Sequence, residues 1–97
     1  MNKYLFLIFL PLLSTLAQDN IEGRIVYKEG TETSALYGAN VYWLDTSYGV
    51  ITDEKGKFSI KPSLDSNKLV ISYIGFRNDT LLVRERNKFI VHFLKID

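Results

Sequence analysis

The sequence predicts an all-β protein, a small Greek-key β-sandwich of about seven short strands. Three observations predict it. Residues alternate with a period of two in run after run, as where Ile21, Gly23, Ile25 and Tyr27 interleave with Glu22, Arg24, Val26 and Lys28. Turn-forming residues interrupt these runs at intervals of roughly ten residues. No stretch after Ala17 carries a helical period.

Ahead of the strands the chain opens with Met1-Asn2-Lys3, a short positive start, then the apolar run Tyr4 to Leu13 and Ser14-Thr15-Leu16-Ala17. That order reads as a signal peptide, with small Thr15 and Ala17 at the positions a signal peptidase inspects. The apolar run is well short of the roughly 20 residues a spanning helix needs, and Pro11 interrupts it, so the reading is a cleaved leader and not a membrane anchor. The organisation expected is therefore residues 1–17 as leader and 18–97 as one domain.

Gln18-Asp19-Asn20 leads into the first strand, Ile21 to Lys28, in which Gly23 marks a bulge or a close approach by another backbone. Glu29 to Tyr37 has no sustained period and reads as a loop, ended by Gly38. Ala39, Val41 and Trp43 then alternate with Asn40, Tyr42 and Leu44 as a second strand, its inward set being Ala39, Val41 and Trp43. Asp45 to Tyr48 connects to Gly49–Ile60, which reads as two short strands folded into a hairpin about Asp53-Glu54-Lys55-Gly56. Asp53 can bond its own backbone to start that turn, and Gly56 supplies the positive φ that closes it. Pro62 and the polar residues up to Asn67 form a loop. Lys68 to Ile74, almost continuously apolar and β-branched, is the candidate for a central strand covered on both faces. After Gly75, Phe76 to Val83 resumes as a strand with Arg77, Asn78 and Asp79 solvated. Arg84 to Lys88 is a charged turn, and Phe89 to Leu94 is the last strand, apolar on both faces.

Composition narrows the function classes. Removing the 17-residue leader from 97 residues leaves 80, enough for one domain that buries roughly 60–65 % of its unfolded surface. The leader holds one of the 12 basic residues, Lys3, so the remainder carries 11 basic against 11 acidic side chains. A neutral chain with singly scattered charges has no electrostatic footprint for nucleic acid or an anionic membrane. There is no cysteine, which removes disulfides, thiolate metal sites and cysteine nucleophiles, so packing alone holds an exported domain of this size.

The inventory of reactive groups is short. The single histidine, His92, stands between Val91 and Phe93, which offer neither a nucleophile nor an orienting carboxylate, and it reads as an ordinary strand histidine. Asp53-Glu54 lacks the spaced carboxylates of a calcium loop, and turn chemistry accounts for both residues. The glycines stand singly at turns with no helix after any of them, so there is no phosphate cradle. No catalytic, metal-binding or cofactor-binding residue is expected, and no cofactor. The aromatic residues Tyr42, Trp43 and Tyr48 cluster around one strand and its exit, and exposed rings there could stack on a sugar face or hold a protein partner. The alternative for the same residues is that alternation buries Trp43 as a core anchor and leaves Tyr42 on the strand surface.

Four blocks, in order, carry a family pattern: Gly23-Arg24-Ile25-Val26, Gly38-Ala39-Asn40-Val41, Gly49 to Ile60, and Ser72-Tyr73-Ile74-Gly75-Phe76. They resemble the carboxypeptidase-regulatory-like domain, commonly found at the amino terminus of TonB-dependent outer-membrane receptors of Bacteroidota. The resemblance implies a transthyretin-like seven-stranded sandwich without catalytic residues, lying on the periplasmic side of the outer membrane ahead of a plug and barrel, with those or another periplasmic protein as partner. The zinc-bearing domain of metallocarboxypeptidases is a separate unit with no counterpart in this sequence. Two departures stand out: Lys28 to Tyr37 lacks the Pro-Gly often seen before the Ala-Asn-Val block, and the sequence reaches only Asp97, where a receptor continues into its plug and barrel. A chain of ~97 residues cannot itself form such a pore. The expectation is a fragment of a receptor or a free-standing exported module, the alternative function being glycan or protein binding by a secreted sandwich.

Overall fold

The computed structural model describes residues 20–84 and 89–96. The expected leader, Gln18, Asp19 and most of the charged turn at 84–88 lie outside the described residues. Eight strands lie within them: β1 Ile21–Glu29, β2 Glu32–Ala35, β3 Asn40–Trp43, β4 Gly49–Ile51, β5 Lys57–Ile60, β6 Lys68–Ser72, β7 Asp79–Leu82 and β8 Ile90–Phe93. They form two four-stranded sheets, and no helix occurs among the described residues.

The first sheet is built on β1, the longest strand. Its first half pairs antiparallel with β5, from Ile21 opposite Ile60 to Arg24 opposite Lys57. Its second half pairs antiparallel with β2, from Val26 opposite Ala35 to Glu29 opposite Glu32. At Ile25 the partner changes: its N–H donates to the Gly56 carbonyl at 2.8 Å, and its own carbonyl accepts from the Leu36 N–H at 3.0 Å. Both groups of one strand residue point to the same side, so β5 and β2 lie end to end along one edge of β1. Along the other edge runs β8, parallel to β1, with Gly23 opposite Ile90 and Val26 opposite Phe93. The second sheet is antiparallel throughout, in the order β4-β3-β6-β7.

The inward set is the one alternation implies. Ile21, Ile25, Phe58, Ile60 and Leu94 of the first sheet pack against Val41, Trp43, Leu69 and Ile71 of the second, with Leu36 and Ala39 closing the gap between them. The Trp43 indole N–H donates to the Lys61 carbonyl at 2.8 Å, which satisfies the one polar atom this ring brings into the core. β6 is buried on both faces as expected: Leu69 and Ile71 face the core, while Val70 on the outer face is flanked by Tyr42 and Thr80 on the neighbouring strands.

Three elements differ from the sequence reading. The segment Glu29 to Tyr37, expected as a loop, contains β2. Gly30 adopts a φ of 63° at the first central position of a two-residue turn, the pattern of a tight hairpin. β2 is an edge strand whose four residues are exposed or half-buried, so no alternation announced it. The second difference is that Gly49–Ile60 is not a hairpin. β4 pairs with β3 in one sheet and β5 with β1 in the other, so the stretch is a corner carrying the chain between sheets. The third concerns Phe76 to Val83, where the strand begins only at Asp79. Phe76 instead bridges to Ile96, and the Arg77 N–H donates to the Lys95 carbonyl at 2.8 Å. The Phe76 ring meets Tyr27 and Tyr73 edge-on, at 5.3 and 5.7 Å between centroids, and closes that end of the core.

The corner is held by Thr52, the one buried polar side chain among the described residues. Its hydroxyl donates to the Leu36 carbonyl at 2.6 Å and accepts from the Ala39 N–H at 2.8 Å. Its backbone N–H donates to the Ala39 carbonyl, and its carbonyl accepts from the Gly38 N–H. Four bonds thus tie one residue to the 36–39 segment. Beyond it Gly56 lies directly against the Ile25 carbonyl, with a φ of 76°. A Cβ at Gly56 would overlap that oxygen, so the position needs glycine for its backbone angle and for its neighbour alike.

Candidate functional site

Tyr42, Trp43 and Tyr48 do not share a surface. Adjacent strand residues point to opposite faces, and the inward turn falls to Trp43, which is 2 % exposed. Tyr42 is half-buried on the outer face of the second sheet, opposite Gly49. Tyr48, 44 % exposed, sits in the β3–β4 turn, where its carbonyl accepts from the Trp43 N–H at 3.3 Å. What remains is a shallow cleft of about 370 Å³, in which Tyr42 and the backbone of Gly49 meet the polar side chains of Asn40, Thr46, Ser47 and Ser72. A ring beside hydroxyls and an amide can stack and hydrogen-bond a polar ligand, and among the described residues no histidine, carboxylate or lysine lines the cleft beside its hydroxyls.

His92 is satisfied by a residue the sequence reading left in solvent. Its Nε2 lies 2.8 Å from Oδ2 of Asp79, and Oδ1 of that carboxylate accepts from the Thr80 N–H at 2.9 Å. The pair links β8 in one sheet to the first residue of β7 in the other. The two positions are 13 residues apart in the chain, and no local pattern signals the contact. A carboxylate orienting an imidazole is two-thirds of an acyl-transfer triad, but among the described residues no hydroxyl is bonded to the ring. The arrangement therefore works as an inter-sheet tie.

The Asp53 turn is likewise fully occupied by its own backbone. One carboxylate oxygen accepts from the Lys55 N–H at 2.8 Å and the Lys57 N–H at 2.9 Å. The bond from Lys57 is the main cause holding the Asp53 pKa below its ordinary value, with the Lys55 bond and the two lysine charges adding to it against partial desolvation. Among the described residues no three His, Asp or Glu side chains are grouped to hold a metal ion.

A row of exposed apolar residues lies elsewhere, on the outer face of the first sheet. Phe89, Val91 and Phe93 are 50, 56 and 44 % exposed, while the intervening Ile90 and His92 are half-buried. The Lys28 ammonium sits 5.4 Å above the Phe93 ring. Beside this row an open groove of about 420 Å³ is lined by Lys28, Phe93, Leu94, Lys95 and Ile96. Sequence reasoning saw that the last strand is apolar on both faces but could not assign its faces, because nothing local says which neighbour it pairs with.

A search of curated proteins found no match to this chain. A family model does match: the CarboxypepD_reg-like domain, over residues 21–95. The matched span runs from the first residue of β1 to just past β8 and so takes in both sheets and the corner between them. This chain is a member of the CarboxypepD_reg-like domain family.

Proposed function

We propose that the domain is a non-catalytic accessory and interaction module that works in the periplasm, as the leading domain of a TonB-dependent outer-membrane nutrient receptor. The observation that carries the reading is the family match across both sheets, standing behind an amino-terminal stretch with the order of a signal peptide. The chemistry agrees with a binding role: the one histidine is used between sheets, Asp53 within its turn, and the remaining features are surfaces. Two measurements test it. Reading the gene beyond Asp97 should show a continuing plug and barrel frame, and fractionating the source cells should put the domain with the outer membrane. A terminator with no receptor frame nearby, or a cytoplasmic fraction holding the domain, refutes the receptor reading and leaves the fold untouched.

The Tyr42 cleft favours a second reading, a secreted glycan-binding module. Ring stacking by Tyr42 with hydrogen bonds from Asn40 and Ser72 is the interaction it would use. Calorimetric titration with polysaccharides should then give binding heat that Tyr42→Ala abolishes. Heat unchanged by that substitution removes the reading.

A further inference from the structure

We propose that the open edge of β8 is a docking site for an extended acidic segment of a partner polypeptide, which adds to the first sheet as a further strand. The proposal rests on the domain being an interaction module, and it supplies the surface and the chemistry of the partner.

The backbone of β8 sets the geometry. The Leu94 N–H donates to the Val26 carbonyl at 2.8 Å, so Leu94 faces β1, and by alternation Ile90 and His92 do too. The N–H and C=O groups of Val91 and Phe93 therefore point to the other edge, where no described strand pairs with them. Unpaired strand edges are templates for pairing, and folded proteins blunt them with charges, prolines or short strands. The other edge strands show such devices: β2 begins with Glu32, β7 begins with Asp79, and β4 has only three residues and starts with glycine. β8, though only four residues long, contains no acidic residue, lysine, arginine or proline, and its outward residues Val91 and Phe93 continue the apolar row from Phe89.

Charge placement identifies the partner. Alternation puts Glu22, Arg24, Val26 and Lys28 of β1 on this outer face, together with Lys57 of β5. Lys95 lies in the same groove as Phe93. Among the described residues Arg24, Lys28 and Lys95 thus stand on the β1–β8 side of this face against the carboxylate of Glu22, while Lys57, across β1 on β5, has its charge beside Asp53. Glu29 and Glu32 fall on the opposite side of their strands from Lys28. A strand laid along β8 places its side chains beside Val91 and Phe93, where apolar residues fit. Its flanking residues come within reach of Lys28 and Lys95, where carboxylates fit. That is strand addition, in which main-chain bonds give affinity and alternate side chains give selectivity.

The test uses the purified chain and a fluorescent synthetic peptide, an alternating valine and phenylalanine core flanked by glutamates, compared with the same core flanked by lysines. Saturable binding of the acidic peptide that weakens with added salt is expected, with amide exchange slowed at Val91 and Phe93. Val91→Lys should weaken binding roughly tenfold or more. Lys28→Glu combined with Lys95→Glu should weaken it similarly while the thermal unfolding of both variants stays near that of the parent. Equal binding of the two peptides, no saturable binding, or protection mapped to β4 or β7 overturns the proposal. So does a homodimer through β8 that the acidic peptide cannot displace. None of those results bears on the receptor reading, which the gene sequence and fractionation decide separately.

Discussion

Replacing Thr52 separates hydrogen bonding from burial at the inter-sheet corner. Thr52→Val conserves shape and adds apolar surface, so if packing alone held this residue the variant would be neutral or stabilised. The bonding geometry says otherwise. Without the hydroxyl, the Ala39 N–H loses its acceptor at a residue that is 0 % exposed, and the Leu36 carbonyl loses its donor. A stranded buried donor costs about 1–3 kcal/mol, and an under-satisfied carbonyl adds about 1 kcal/mol. The extra buried methyl returns about 0.8 kcal/mol, leaving a net loss near ~2 kcal/mol. For a domain of this size that lowers the melting temperature by about 8–16 °C. Thr52→Ser keeps both bonds and loses one methyl, so it should cost about 1 kcal/mol. The expected order of stability is parent, serine, valine, the reverse of the order of hydrophobicity for the two variants. Urea and thermal unfolding followed by Trp43 emission measure it, since that ring is buried in the core beside the corner. A valine variant as stable as the serine variant refutes the bonding account.

Three further predictions concern the same framework. Gly56→Ala should cost at least about 3 kcal/mol, combining left-handed backbone strain with overlap on the Ile25 carbonyl, whereas Gly30→Ala, also at positive φ but with open space around it, should cost about 1 kcal/mol; equal losses in denaturant melts would contradict the close approach. Gly23→Ala places a methyl 2.6 Å from the Ile90 carbonyl and from the Phe58 ring, so it should cost about 2 kcal/mol and speed amide exchange in β8 more than in β6; uniform exchange would argue against a local effect. Asp53 carries the pH dependence. Its folded pKa lies below the ordinary 3.8, so its stabilising contribution is present above that value and disappears as pH falls through the lower folded value. Melting temperatures of the parent and Asp53→Asn should therefore differ at pH 6 and converge in strong acid, and a gap that persists at low pH would contradict the assignment.

What was legible in the sequence was local. Alternation assigned the inward sets of β1, β3 and β5 because each has one face in the core and a more exposed face opposite it, although Val26 on the outer face of β1 is buried as well. The continuous apolar run marked β6 because it is covered on both. Asp53 and Gly56 announced their turn because its chemistry lies within a few residues. The partners of those strands were not legible. Gly49–Ile60 has every local mark of a hairpin, yet Thr52 is tied to Leu36, Gly38 and Ala39, and this sends β5 to the opposite sheet. No residue inside the stretch records that choice, since the deciding contacts lie 13 to 16 positions away. β2 escaped notice for a related reason: an edge strand with little burial has little pattern to show.

The same division explains why the surface residues singled out from sequence and those singled out by the structure differ. Tyr42, Trp43 and Tyr48 are neighbours in the chain, which offered two readings, one aromatic surface or Trp43 turned into the core by alternation; the second holds, since a strand separates adjacent side chains and Trp43 is buried. The surface on β8 arises the opposite way, from residues distant in the chain. Lys28 reaches Phe93 only because β1 and β8 run parallel and adjacent, and a parallel pair requires a long connection between its strands. The corner at Thr52 bears on that surface indirectly. It fixes Gly56 against Ile25 and fills one edge of β1 with β5 and β2, so the other edge alone is left to receive β8. With β1 saturated on both sides, the first sheet can grow on its β8 side only at the outer edge of that strand. Weakening the corner by Thr52→Val should therefore lower peptide binding at β8 only to the extent that it unfolds the domain. A fall in affinity beyond the unfolded fraction would show that the register of β1 against β8 depends on the corner.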